Sequence, residues 1–147
     1  MIRFIYVVLL VVLISCGDES EFMIQPEMQG YYNDFLDEAS ARGVVIKNNN
    51  LILTIRENVR AEYGGNAATR LTKDQTYIYI DADWFKKRGE LIEMTVFHEL
   101  GHAKLKRDHN NTFSLMNSNV SGVMDWNNCT PDVSCKKELI DELFNPK

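Results

Sequence analysis

Residues 95–109 read T-V-F-H-E-L-G-H-A-K-L-K-R-D-H, and His98, Glu99 and His102 within them form the pattern H-E-x-x-H. Apolar residues recur at helical spacing from about position 90, so we predict that the motif lies on a helix. Residues four apart share a helix face, and both imidazoles can therefore reach one metal ion. The motif predicts a zinc site in which Glu99 accepts a proton from a zinc-activated water.

A catalytic zinc ion normally has three protein ligands, so the two motif histidines need a partner. The chain has three histidines, and all of them fall between positions 98 and 109. We predict His109 as the third ligand because no other histidine is left and neutral imidazole suits zinc. Asp108 is the alternative, either as the ligand or as a group that orients one. Glu138 and Glu142, near the end of the chain, are more distant candidates.

The motif and the residues after it resemble the zincin metallopeptidases, and more narrowly the metzincins. Metzincins extend the motif to H-E-x-x-H-x-x-G-x-x-H, or to aspartate in the last place in one branch, and place a methionine turn below the metal. This chain departs from that pattern with Leu105 in place of the glycine and Asp108 in the last place. The run also resembles small bacterial lipoproteins that carry H-E-L-G-H followed by R-x-H. The resemblance covers residues 90–125 and implies a zinc peptidase with its methionine turn at Met124, or alternatively at Met116.

The order of elements predicts an α+β fold in a single domain of residues 30–147, with a small mixed sheet packed on the motif helix. The resemblance makes this domain zincin-like. We predict helices at 31–41, from about 90, and at 136–144, and extended segments at 44–46, 51–55 and 76–80. The segment 76–80 is our candidate for a strand that lies along the cleft and pairs with an extended peptide. The alternative is an interior strand that contacts no substrate.

The N-terminus resembles an export signal. Residues 1–15 have one positive charge followed by an apolar run that is too short for a comfortable membrane span. The small residue before Cys16 resembles the bacterial lipobox, which implies cleavage there and a lipid anchor on Cys16 in the cell envelope. The alternative is an ordinary signal peptide. Residues 16–29 are predicted to form an acidic tether.

The remaining two cysteines, Cys129 and Cys135, lie six apart across a turn signal. In an exported protein they predict a disulfide that closes a small loop, with two free thiols as the alternative. The formal net charge of −5 disfavours nucleic acid as a partner. We expect a monomer that acts on a protein or peptide substrate.

Two functions from different classes follow from these observations. The first is a zinc-dependent endopeptidase with Glu99 as general base, anchored to the bacterial envelope through Cys16. The alternative is a lipid-anchored binding protein that retains a zincin fold without catalysis. Leu105 in place of glycine and the small size of the domain favour the alternative, whereas an intact Glu99 argues against it because a binding protein needs no general base.

Overall fold

The structure is a computed structural model that describes residues 21–112, 114–118 and 134–145. Within these ranges one mixed sheet is formed by β1 (Phe22–Ile24), β2 (Leu51–Arg56), β3 (Ala67–Leu71) and β4 (Thr76–Asp81). The strand order is β1-β2-β4-β3. The pairs β1–β2 and β2–β4 are parallel, and β3 runs antiparallel to β4. Therefore β3 is an edge strand of the sheet and β4 lies inside it.

Helices surround this sheet. They are α1 (Gln29–Ala41), preceded by a 3₁₀ turn at Pro26–Met28, α2 (Val59–Tyr63), α3 (Ala82–Lys87), α4 (Gly89–Leu105) and α5 (Ser134–Phe144). Asp81 caps α3, because its side chain accepts hydrogen bonds from the backbone N–H groups of Asp83 and Trp84. The H-E-x-x-H motif lies on α4 and the chain combines helices with a mixed sheet, so the predicted α+β class is confirmed.

The core lies between one face of the sheet and helices α1, α4 and α5. In β4, Ile78 and Ile80 are fully buried, whereas the alternating Tyr77 and Tyr79 are partly exposed on the other face. Burial of each large apolar side chain contributes about 1.5–3 kcal/mol to the free energy of unfolding. The three helices meet at aromatic and aliphatic side chains: Phe35, Phe97, Leu100, Leu139, Leu143 and Phe144. This core holds α4 rigidly beside the sheet.

Two segments differ from the sequence prediction. The fold begins before residue 30, because β1 pairs with β2 in a part of the chain that we assigned to the tether. The parallel ladder, and the Phe22 ring 5.9 Å from that of Tyr32, stabilise this short strand. The segment 44–46 forms no strand, and Val45 is 89% exposed. Its apolar residues follow directly on α1 and lack a neighbouring strand to pair with.

The prediction that residues 76–80 lie along the cleft as a free strand is wrong. They belong to β4, which pairs with β2 on one side and β3 on the other. The alternative, an interior strand, is the one observed. Of the two edge strands, β1 and β3, the one that lines the cleft is β3. It follows a glycine-rich loop at residues 64–66 and was not singled out by its sequence.

Several predictions concern residues outside the described ranges or side chains that are not described. These are the signal at 1–15, the lipidation site Cys16, the methionine turn at Met124 and the Cys129–Cys135 disulfide. Among the described residues, no helix is both long and apolar enough to span a membrane.

Candidate metal centre

Three imidazole nitrogens converge at the end of α4 and the start of the following loop. The Nε2 atoms of His98 and His102 are 3.2 Å apart, and that of His109 lies 3.1 Å from the first and 3.0 Å from the second. These three histidines lie close enough together to bind one metal ion. In the described part of the chain no fourth histidine, cysteine or carboxylate joins the group.

The spacing of these atoms fits a tetrahedral ion. Zinc–nitrogen bonds of about 2.0–2.1 Å at tetrahedral angles place two ligand atoms about 3.3 Å apart, close to the distances observed. The other ring nitrogens explain the orientation. Nδ1 of His98 lies 2.5 Å from the carbonyl oxygen of Leu115, and Nδ1 of His102 lies 2.6 Å from that of Arg107. A carbonyl can only accept, so each Nδ1 carries the proton and each Nε2 presents a lone pair.

Converging lone pairs repel one another unless a cation lies between them, and burial keeps the rings of His98 and His102 uncharged. Burial lowers the pKa of His98 to about 4, against the opposing effect of its bond to Leu115. Burial also lowers the pKa of His102. Neutral imidazole is the form that binds a metal, so both rings are ready to act as ligands near neutral pH.

His109 reaches this group because of the way α4 ends. The helix continues through Leu105, and Lys106 then adopts the left-handed conformation with φ of 57°. A glycine would adopt this conformation more easily, but Lys106 serves here, and its ammonium bonds the carbonyl of Ala103 at 2.9 Å. Leu105 therefore does not keep His109 from the group.

The other candidate ligands are elsewhere. Asp108 is exposed and is not part of the three-histidine group. Glu142 pairs with Arg107, with 2.6 Å between carboxylate and guanidinium, and Glu138 is also outside the group. Among the residues weighed from the sequence, the structure brings together His98, His102 and His109.

The loop after His109 folds back and packs against α4 near Gly101. Asn110 donates its backbone N–H to the carbonyl of Met116 at 2.9 Å, and Ser114 donates its hydroxyl to the Asn110 side chain at the same distance. These bonds fix the Leu115 carbonyl that accepts from His98. Met116 is fully buried, and a Cβ added to Gly101 would lie only 2.6 Å from its sulfur. The glycine of the motif thus lets the segment around Met116, our alternative methionine turn, approach the helix.

Glu99 lies beside the histidines, with its carboxylate held by the edge strand. The hydroxyl of Thr69 in β3 donates to Oε2 of Glu99 at 2.6 Å. Burial raises the pKa of Glu99 to about 7, and the hydrogen bond from Thr69 acts in the opposite direction. The side chain is therefore a carboxyl group that can exchange a proton near neutral pH.

These groups open into one cleft of about 690 Å³. One wall is the motif face of α4, and the other is β3 with the glycine-rich loop before it. Arg60 and Tyr63 of α2 and Ser118 of the loop after His109 also line the cleft. A set of three ligands beside an ionisable carboxyl group, in a cleft of this size, can hold a metal ion and admit a further molecule to it.

Sequence reasoning missed three groups in this site: the hydroxyl of Thr69 and the carbonyls of Arg107 and Leu115. Every residue has a carbonyl, so no residue type could have indicated the latter two. Thr69 lies in a separate strand, and only the strand order brings it to α4. No family model, curated protein or solved structure matches this chain.

Proposed function

We propose that this protein is a zinc-dependent peptidase. His98, His102 and His109 would hold the zinc ion, and Glu99 would be the general base. The observation that carries the proposal is the convergence of three imidazole Nε2 atoms, 3.0–3.2 Å apart, beside a buried carboxylate in an open cleft.

The ligand set favours a catalytic ion over a structural one. Structural zinc sites are usually closed by four protein ligands, whereas catalytic sites use three and keep one position for water or substrate. Only three candidate ligands cluster among the described residues, and they lie on the wall of the cleft. Three imidazoles in a near-tetrahedral arrangement also favour zinc over magnesium or calcium, which prefer oxygen ligands.

The edge strand supports a polypeptide as the substrate. In the described part of the chain β3 pairs only with β4, so its other edge is free, and it forms the wall opposite the histidines. An extended peptide can add to such an edge through main-chain hydrogen bonds. This addition would place a peptide bond between β3 and the metal. The zincin-like fold that the motif implies belongs to the same proposal.

The chemistry follows from the positions of the side chains. Zinc, when bound, polarises a carbonyl group and lowers the pKa of a water molecule. Thr69 holds Oε2 of Glu99, and Oε1 accepts no hydrogen bond from the described residues. Oε1 would therefore take the proton of the attacking water and later deliver it to the leaving amine. The Leu115 and Arg107 carbonyls would keep the rings of His98 and His102 in place.

A cleavage screen tests this proposal. Zinc-loaded protein is expected to cut unfolded polypeptides, to stop when a chelator removes the metal, and to recover when zinc is restored. Mass spectrometry of the products would identify the bonds cut. Failure of the loaded protein to cut any polypeptide in a broad set, or cleavage that survives chelation, would contradict the proposal.

The proposed location is the bacterial envelope, with a lipid on Cys16. Cys16→Ser is expected to move the exported protein from the membrane fraction to the soluble fraction, because acyl chains would be its anchor. Radiolabelled fatty acid should enter the parent and not the variant. A parent protein that is unlabelled and soluble after export would replace the anchor with simple secretion.

A further inference from the structure

Arg107 connects the loop after α4 to the end of the C-terminal helix. One terminal nitrogen of its guanidinium donates to the carbonyls of Glu142 and Leu143, at 2.9 and 2.7 Å. The other donates to the Glu142 carboxylate at 2.6 Å. The Arg107 side chain is only 15% exposed. These carbonyls end α5, where a helix leaves acceptors unpaired and a positive charge is favourable.

The backbone of the same residue contacts the metal centre. The Arg107 carbonyl accepts from Nδ1 of His102 at 2.6 Å, and its N–H donates to the carbonyl of Gly101 at 3.1 Å. His109 follows two residues later and supplies the third Nε2 atom. One residue therefore fixes the tautomer of His102 and the start of the segment that brings His109 to the group.

We infer that Arg107 is a positioning residue for the metal centre, and that its ion pair with Glu142 lets α5 set the geometry of His102 and His109. The inference rests on the metal binding in the proposed function. Arg107 touches neither metal nor substrate and acts through its own carbonyl and through the short segment to His109.

The shape of the arginine side chain is essential to this role. Three acceptors on α5 are reached by one planar group with fixed donor directions. A lysine ammonium keeps the charge but is a single point at the end of a flexible chain, and it cannot hold this arrangement. The Glu142 carboxylate also needs the positive charge of Arg107, because its Oε2 atom is buried without a hydrogen bond.

The chain supplies a matched control in Arg42. This arginine also ties α5 to another element, since its guanidinium bonds Asp141 at 2.6 Å, and its side chain is 12% exposed. It does so from the end of α1 and contributes no bond to the histidines. Loss of Arg42 therefore reports the effect of loosening α5 without disturbing the backbone of residues 106–109.

The test compares Arg107→Lys and Glu142→Gln with Arg42→Lys in the full-length protein. Zinc affinity would be measured by competition with a chromophoric chelator, and ligand geometry from the visible spectrum of the Co²⁺-loaded protein. We expect a loss of zinc affinity of roughly 10- to 100-fold for Arg107→Lys, as for other groups that orient metal ligands. A smaller loss is expected for Glu142→Gln, and Arg42→Lys should match the parent.

A second measurement separates positioning from general stability. Nitrogen NMR of the metal-free protein should show His102 as the single Nδ1–H tautomer in the parent and in Arg42→Lys, and as a mixture in Arg107→Lys. If Arg107→Lys does not fold, Glu142→Gln supplies the same comparison.

The outcomes distinguish this inference from the proposed function. Parental zinc affinity and a single His102 tautomer in the Arg107 and Glu142 variants overturn the inference alone. An equal loss of zinc affinity in Arg42→Lys also overturns it. A parent that binds zinc but cuts no polypeptide overturns the peptidase and leaves the positioning test unaffected, whereas a parent that binds no zinc overturns both.

Discussion

Glu99→Gln is expected to lower polypeptide hydrolysis by roughly 10²–10⁴-fold while zinc remains bound, since that is the usual contribution of a general base. Glutamine has nearly the same shape, and its amide oxygen can still accept from the Thr69 hydroxyl that now bonds Oε2. It cannot accept the proton of the attacking water. The rate loss corresponds to about 3–5 kcal/mol of transition-state stabilisation.

Glu93→Gln is the matched control for this experiment. Glu93 lies on the same helix, but it faces Lys136, with 2.7 Å between ammonium and carboxylate, and does not line the cleft. Glu93→Gln should hydrolyse polypeptides at the same rate as the parent. Single-turnover cleavage by zinc-loaded variants measures the difference, and a Glu99→Gln protein that cuts as fast as the parent would remove Glu99 from the mechanism.

His102→Ala is expected to abolish zinc binding, and His109→Ala to weaken it by several orders of magnitude. Each change removes one of three nitrogens that lie 3.0–3.2 Å apart. His109→Ala keeps the two motif histidines on α4, whereas His102→Ala breaks that pair. His102→Ala also leaves the Arg107 carbonyl without the partner that orders the loop.

Asp108→Asn supplies the comparison, because Asp108 is adjacent to His109 in the chain but exposed and outside the histidine group. Asp108→Asn should lower zinc affinity by no more than roughly 10- to 100-fold, which is typical of changes in groups next to the ligands. Zinc titrations monitored by chelator competition would rank the variants. Weaker zinc binding by Asp108→Asn than by His109→Ala would identify the aspartate as the ligand.

The parts of the fold that could be predicted are those fixed by local pattern. The spacing of His98 and His102 determines that they share a helix face, whatever the rest of the chain does. Apolar periodicity likewise indicated α1, α4 and α5 close to their observed bounds. His109 was identified as the remaining histidine, by chemistry alone.

The parts that could not be predicted depend on distant segments. β3 is an edge strand because β4 pairs with β2 on its other side. No residue in β2 or β4 indicates this pairing. The strand β1 has three residues and exists because β2 offers it a parallel edge. The left-handed turn at Lys106 has no glycine, so the residue type does not signal it. The contacts of the next residue, Arg107, with the distant Glu142 hold this turn.

Zinc binding by the three histidines can be measured by metal analysis of the purified protein. Protein dialysed against a trace of zinc and then freed of excess metal should contain about one zinc ion per chain, as a three-histidine catalytic site requires. Its Co²⁺ derivative should show the intense visible bands of a tetrahedral site. A parent protein that retains no zinc above the level of His102→Ala would show that the three histidines do not bind zinc.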